Sequence, residues 1–224
     1  LMATVGTSSV VEPLDAKRRW VFKTMQNDDL IAGALIKHMN KAGVKTIGFI
    51  GFNDPYGENW HKVFTPLAEK AGIRVIASER YARTDQSVTG QSLKLLAAKP
   101  DAVLVAAVGG PAVLPQATLR DQGWKGPIYQ THAVATNDFI ALGKDKVEGT
   151  VLAAGPMLVI DDIPDSNPTK KVARAYMAEY EKKFVAANPD KPEILYNQAV
   201  DLYNKNNFKE AEPILRKILE GAPD

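Results

Sequence analysis

The sequence of 224 residues contains no cysteine. This absence excludes disulfide bonds, thiolate nucleophiles and metal sites with sulfur ligands. No apolar run approaches the ~20 residues that a membrane-spanning helix needs. The net charge of +2 is too small to favour nucleic acid or an anionic membrane surface as a partner. The longest basic cluster, Lys17–Arg19, is typical of a solvated helix or loop edge.

The chain also lacks the motifs of common catalytic sites. Its histidines, His38, His61 and His132, are too far apart to show metal-ligand spacing. The Gly109–Pro111 segment has neither the lysine nor the Ser/Thr of a nucleotide-binding loop, so it predicts a tight turn between a strand and a helix. A Gly-x-Ser-x-Gly elbow is absent as well.

Two acidic doublets remain as candidates for acid–base chemistry. We expect Asp28–Asp29 to cap a helix, with Asn27 as the alternative cap for its start, and Asp161–Asp162 to lie in a loop. We therefore predict no catalytic residues, no metal and no cofactor, and we predict that the protein is not an enzyme.

What the sequence does contain is an alternation of short β-rich runs with longer amphipathic segments. Such alternation is typical of right-handed βαβ crossovers, and it predicts a Rossmann-like α/β fold: a parallel sheet with helices on both faces. The predicted strands are 45–50, 74–78, 102–107, 127–130 and 151–154, and the predicted helices are 28–40, 56–71, 87–99, 111–122 and 137–142. Ligands bind beyond the carboxyl ends of such strands, which here are residues 51–56, 107–110 and 130–133.

The composition changes after Asp161. An acidic, proline-broken loop is followed by a predicted helix over 169–187, and residues 188–192 read Asn-Pro-Asp-Lys-Pro, which cannot continue a helix. The sequence therefore predicts two domains, an α/β lobe over residues 1–188 and a C-terminal helical hairpin over residues 192–224.

The hairpin resembles one tetratricopeptide repeat (TPR). The pattern consists of Leu195–Asn197, Ala199, Leu202–Tyr203, Asn206–Phe208, Glu210–Ala211, Ile218–Leu219 and the closing Pro223. An ordinary helical hairpin is the alternative. One repeat cannot bury both of its faces, so we expect it to pack on the lobe, on a partner or on a second copy of the chain. The predicted contact residues are Tyr196, Leu202 and Phe208, and the abrupt junction raises the hypothesis of a chimera.

Short segments spread over residues 1–187 carry a second resemblance. They are Gly6–Ser9, Arg19–Thr24, Gly48–Ile50, Asp54–Glu58, Pro100–Val103 and Gly149–Val151. In order and spacing they resemble the type I periplasmic solute-binding proteins, and among these the branched-chain amino-acid family of ABC importers. Members have two α/β lobes with the solute between them, and this chain resembles the second lobe together with the strand that leads into it.

The resemblance implies a function. It implies a periplasmic carrier that binds a small carboxylate, such as an amino acid or an aromatic or aliphatic acid, and that works with the membrane permease of an ABC importer. Nucleic acid is not an implied partner. Two alternatives remain open: a scaffold protein in which the hairpin mediates self-assembly or partner binding, and an enzyme on a flavodoxin-like sheet.

The resemblance also implies ligand-binding residues. Thr7, Ser8 and Ser9 match a loop whose hydroxyls and amides hold a ligand carboxylate, although such residues also cap helices. Tyr56 matches an aromatic residue that lies against the ligand; the alternative is a residue that faces the core.

The segment 130–133 of the expected site departs from the family pattern. His132 stands where amino-acid-binding members carry an acidic residue, so an acid without an amine would suit it better. Val108 and Gly109 predict an apolar pocket with small walls, which agrees with an aromatic or aliphatic solute.

Overall fold

The structure, a computed structural model, describes residues 1–188 and 191–220. The chain forms two compact units, Leu1–Gly155 and Pro156–Asp224. The predicted domain boundary at residues 189–191 falls within the second unit, and Pro189 and Asp190 of the predicted linker lie outside the described residues.

The first unit is built on a five-stranded parallel sheet with the order β4-β3-β5-β6-β7. Its strands are β3 (Thr46–Phe52), β4 (Arg74–Tyr81), β5 (Ala102–Ala106), β6 (Ile128–Gln130) and β7 (Thr150–Leu152). Two shorter strands, β1 (Met2–Ala3) and β2 (Phe22–Lys23), pair in parallel beside one another. The predicted α/β parallel sheet is confirmed.

Helices alternate with these strands and cover both faces of the sheet. They are α1 (Asp28–Lys41), α2 (Pro55–Lys70), α3 (Thr89–Ala97), α4 (Val113–Asp121) and α5 (Asn137–Gly143). One apolar cluster includes Leu35, Trp60 and Phe64 from α1 and α2. The other includes Leu95 and Leu119 from α3 and α4. Since both faces are covered, β5 is apolar and buried along its whole length.

The structure refines two helix faces and one strand end. Leu30 and Leu93 are 64% and 54% exposed, because Ile31 and Leu95 beside them face the core. The strand predicted over 45–50 continues to Phe52, so Gly51 lies inside β3. A Cβ at Gly51 would lie 2.8 Å from the Phe49 ring, so the glycine is required by packing inside the strand.

Two carboxylates fix the ends of β3. At its start, Asp101 accepts hydrogen bonds from the backbone amides of Lys45 (2.9 Å) and Thr46 (2.8 Å) and from Thr46 Oγ1 (3.0 Å). Beyond its end, Asp54 caps α2 by accepting from the amides of Tyr56 (2.9 Å) and Gly57 (3.1 Å). These bonds set the direction in which the chain leaves the sheet toward Tyr56.

The second unit consists of helices in its described residues: a 3-10 turn at Pro156–Val159, α6 (Pro168–Ala187), α7 (Pro192–Asn204) and α8 (Phe208–Glu220). Lys170 fastens the loop before α6 by donating to the Ile163 carbonyl (2.6 Å) and pairing with Asp165 (2.8 Å). On α6 the rings of Tyr176, Tyr180 and Phe184 stack in sequence.

Helices α7 and α8 form the predicted helical hairpin. Asn206 takes a left-handed conformation (φ 59°) at the turn, and Asn207 donates from its amide to the Leu202 carbonyl (2.8 Å). Ala199 and Ala211 are buried, whereas Tyr196 and Phe208 are more than half exposed and Leu202 is intermediate. The TPR interpretation and the contact role of these residues stay predictions, and Pro223 lies outside the described residues.

None of the helices in the described part of the chain is long and apolar enough to cross a membrane. Within the same residues, no group of three or more histidine, aspartate or glutamate side chains is placed to hold a metal ion.

Candidate functional site

The carboxyl ends of three neighbouring strands meet at one edge of the sheet in the first unit. A cavity of ≈ 440 Å³ opens there, a size typical of small-molecule sites. Its lining comes from the N-terminal segment, from the starts of α1 and α2, from the loop after β4, and from the residues that follow β5 and β6. These residues are Thr4, Val5, Gly6, Thr7, Met25, Asp28, Pro55, Tyr56, Asn59, Arg83, Val108, His132 and Ala133.

A chain of hydroxyl groups ties the first turn of α2 to the strand ends. The hydroxyl of buried Thr131 donates to the Ala107 carbonyl (3.0 Å) and lies 2.8 Å from the hydroxyl of Tyr56. Since the single proton of Thr131 is used on Ala107, Tyr56 donates to Thr131. Burial raises the pKa of Tyr56, so its phenol stays neutral and its oxygen keeps lone pairs for another donor.

Asp28 is the most deeply buried charged residue of the cavity lining, with 3% of its surface exposed. Its Oδ2 accepts from Asn59 Nδ2 (2.7 Å), and Asn59 Oδ1 accepts from the Thr7 hydroxyl (3.2 Å). Its Oδ1 is buried and has no hydrogen-bond partner. Burial raises the pKa of this carboxyl from 3.8 to about 6, against the lowering effects of the Lys23 charge and the Asn59 hydrogen bond.

His132 approaches the same point of the cavity. A Cβ added at Gly6 would collide with Asp28 Oδ1 and would lie 3.1 Å from His132 Cε1, so the missing side chain at Gly6 leaves room for both groups. His132 Nδ1 is also buried without a partner, and the ring is tilted against Trp60 at 6.2 Å between centroids. Burial and the Lys23 charge lower the pKa of His132, which favours the neutral imidazole.

Lys23 links two of the loops that border this site. Its ammonium donates to the carbonyls of Val5 (2.9 Å), Gly6 (3.0 Å), Met25 (2.6 Å) and Gln26 (3.0 Å). The segment before Thr7 and the segment before Asp28 are therefore fixed to one another by a single side chain.

Arg83 supplies the positive charge of the cavity lining. Its Nε donates to Asp54 Oδ2 (2.6 Å), and its guanidinium carbon lies 4.2 Å from the centre of the Phe52 ring. A guanidinium has five N–H donors in a fixed plane, so the bond through Nε leaves the others able to face a ligand.

Four of the residues predicted for ligand binding line this one cavity: Thr7, Tyr56, Val108 and His132. Ser8 and Gly109 lie outside the lining, Ser8 in a short 3-10 helix and Gly109 in a left-handed turn (φ 57°). The side chain of Ser9 is not among those described. Their roles in binding stay predictions.

Sequence reasoning missed Asp28, Asn59 and Arg83. Asn27 and Asp28 were the two expected caps of α1; Asn27 takes the capping position without a side-chain cap bond, and the Asp28 side chain turns to Asn59. Because Asn59 is 31 residues away, no local pattern could reveal the pair. The adjacent acidic doublet was the one available signal, and it indicated a helix terminus equally well.

The comparisons with known proteins agree with this architecture. A family model described as periplasmic binding protein matches residues 2–205. An extracellular ligand-binding receptor from Rhodopseudomonas palustris HaA2 is 46% identical, covers 84% of this chain and 51% of its own, and superposes with a TM-score of 0.77. A second R. palustris extracellular ligand-binding receptor is 42% identical, with coverages of 77% and 48% and a TM-score of 0.70.

A branched-chain amino-acid ABC transporter protein from Thermus thermophilus, solved with bound valine, is 16% identical with a TM-score of 0.61, over 66% of this chain and 39% of its own. That likeness is one of fold. No curated protein sequence matches the chain. The chain spans about half the length of the R. palustris receptors, and the family match continues to residue 205, one residue past the end of α7.

Proposed function

The chain belongs to the periplasmic binding protein family, and on that premise we propose that it is a solute-binding component of an ABC importer that binds a small carboxylate. The solute would be an amino acid or an aromatic or aliphatic acid, the partner a membrane permease, and the compartment the periplasm. The observation that carries the proposal is the cavity at the strand ends, because it joins apolar walls to a few convergent polar groups.

Arg83 is the residue that we propose to receive the solute carboxylate. A guanidinium binds carboxylate through paired N–H donors, whereas the carboxylate of Asp28 in the same lining would repel an anion. The lining residues Val108, Ala133 and Pro55 offer apolar or small surface for the body of the solute. Because the chain spans about half the length of its relatives, we propose that this cavity is one side of a two-sided site.

The test is a binding screen on the 224-residue chain by ligand-observed NMR, which detects dissociation constants as weak as about 1 mM. The probes are 4-methylpentanoate and 3-phenylpropanoate together with their derivatives that carry an ammonium or hydroxyl group. We expect binding of members of this panel and an affinity about tenfold lower in Arg83→Gln, since the change removes a charge-assisted contact.

The matched control is Arg80→Gln. Arg80 forms a comparable surface ion pair with Glu58 (2.6 Å) but is not part of the cavity lining. A chain that is folded and binds none of the probes would overturn the proposed function. Equal losses of affinity in Arg83→Gln and Arg80→Gln would show that Arg83 does not receive the solute carboxylate.

A further inference from the structure

Two polar atoms on residues that line the cavity lack a hydrogen-bond partner. They are Asp28 Oδ1 and His132 Nδ1, and both are buried. Buried polar atoms in folded proteins are nearly always paired, so each such atom calls for an explanation. Both residues border the space at Gly6: a Cβ there would collide with Asp28 Oδ1 and would lie 3.1 Å from His132 Cε1, the ring carbon bonded to Nδ1.

Asp28 presents a negatively charged hydrogen-bond acceptor to this part of the cavity. Its other oxygen is already engaged by Asn59, and the Asn59–Thr7 bond fixes the orientation of that amide. The carboxylate is thereby held in one position with Oδ1 left as a strong acceptor. A second carboxylate at this position would face a like charge and no donor from Asp28, so the anionic group of a solute is excluded from it.

We infer that Asp28 is a specificity-determining residue that accepts a hydrogen bond from an N–H or O–H group of the solute, with His132 as the second partner of the same group. The inference rests on the proposed function and adds that the solute is bipolar, with its carboxylate at Arg83 and a donor at Asp28. An ammonium would donate to Asp28 and to the lone pair of His132 Nδ1. A hydroxyl would donate to Asp28 and could accept from His132 in its other tautomer.

The experiment measures a ratio of affinities on one skeleton. The donor-free probe is 3-phenylpropanoate; phenylalanine adds an ammonium, and 3-(4-hydroxyphenyl)propanoate adds a hydroxyl. The aliphatic series is 4-methylpentanoate, leucine and 2-hydroxy-4-methylpentanoate. In the 224-residue chain we expect at least one donor-bearing probe to bind about tenfold more tightly than its donor-free parent. Tighter binding of the ammonium-bearing probe would identify an ammonium as the donor, and tighter binding of the hydroxyl-bearing probe would identify a hydroxyl.

The variant is Asp28→Asn, which keeps an acceptor for Asn59 and replaces the free carboxylate oxygen by an NH₂ donor. We expect the tenfold preference to fall to about twofold or less, with little change for the donor-free probe. The donor-free probe controls for folding, because a chain that has lost its fold loses both affinities. Asp29→Asn is the matched variant: it removes the neighbouring exposed charge and should leave the ratio unchanged.

A second measurement needs no variant. Below pH 6 the preference of the wild-type chain for donor-bearing over donor-free probes should shrink, because Asp28 takes up a proton and its Oδ1 ceases to be a charged acceptor. The charged or titratable groups that act on Asp28 or its neighbours are Lys23, Asp29, Tyr56, His132, Arg83 and Glu12. Lys23 and Tyr56 do not titrate in this range, and protonation of His132 would weaken donor binding further.

The outcomes separate the two claims. If no probe binds, the proposed function fails. If probes bind and donor-free acids are preferred, or if Asp28→Asn keeps the full preference, then Asp28 is not the acceptor and the inference fails while the proposed function stands.

Discussion

Replacing Asp28 by asparagine should make the ligand-free protein more stable at neutral pH. Asp28 is 3% exposed, and one of its carboxylate oxygens is buried without a partner. Holding an incompletely compensated charge in such a place lowers the free energy of unfolding. Asparagine has nearly the same shape, can still accept from Asn59, and carries no charge.

The size of the effect follows from the pKa of Asp28. A rise from 3.8 to about 6 corresponds to about 3 kcal/mol if it is taken in full. Because the residue borders an open cavity, solvent screens part of this cost, and we discount the expected gain to about 1–2 kcal/mol.

The gain should depend on pH in one direction. Between pH 3.8 and 6 the folded protein binds the Asp28 proton more tightly than the unfolded chain does, so wild-type stability falls as the pH rises through this window. Asp28→Asn lacks this dependence. The two proteins should therefore be about equally stable below pH 4, and the variant should be more stable above pH 6.

Urea unfolding followed by tryptophan fluorescence measures this difference. All three tryptophans lie in the first unit, so their signal reports on the unit that contains Asp28. Asp29→Asn serves as the control, because it removes a neighbouring exposed charge from the same helix terminus. A buried charge at Asp28 would not be the cause if Asp28→Asn is less stable at pH 7.5, if its gain in stability is the same at pH 4, or if Asp29→Asn gains as much.

Three further changes test the start of β3, the space at Gly6 and the turn of the helical hairpin. Asp101→Asn should lower the free energy of unfolding by about 1–2 kcal/mol, because the carboxylate accepts hydrogen bonds from two backbone amides and from the Thr46 hydroxyl. Urea unfolding at pH 7 would measure the change, and an unchanged midpoint would show that these hydrogen bonds do not stabilise the start of β3. Gly6→Ala should abolish measurable binding of donor-bearing probes while the circular dichroism spectrum stays native, since its Cβ collides with the free oxygen of Asp28; unaltered affinity would show that the carboxylate lies elsewhere. Asn206→Gly should stabilise the α7–α8 hairpin by about 0.5–1 kcal/mol, because glycine adopts a φ of 59° without steric cost. Slower amide hydrogen exchange in both helices is the expected result. Faster exchange would show that the asparagine side chain itself stabilises the turn.

The fold was predictable from the sequence because each strand of the sheet is a short apolar run, such as Ala102–Ala106, bounded by turn residues. Periodicity gives the alternation of elements but not their fine orientation. One residue of helix rotation decides that Ile31 rather than Leu30 is buried.

The candidate site was predictable only where it follows a strand end, as Tyr56, Val108 and His132 do. Asp28 and Asn59 come together through the packing of α1 beside α2, and Arg83 enters from the loop after β4. These contacts join residues far apart in the chain, and a single sequence carries no record of which distant pairs meet.

The ammonium of Lys23 occupies the position that a bound cation holds in many ligand-binding loops, at the centre of a group of backbone carbonyls. A free ion exchanges with its surroundings and can be removed by a chelator, whereas this positive charge is covalently part of the chain. The loops around Gly6 and Gln26 are therefore joined by a positive charge that cannot dissociate from the chain.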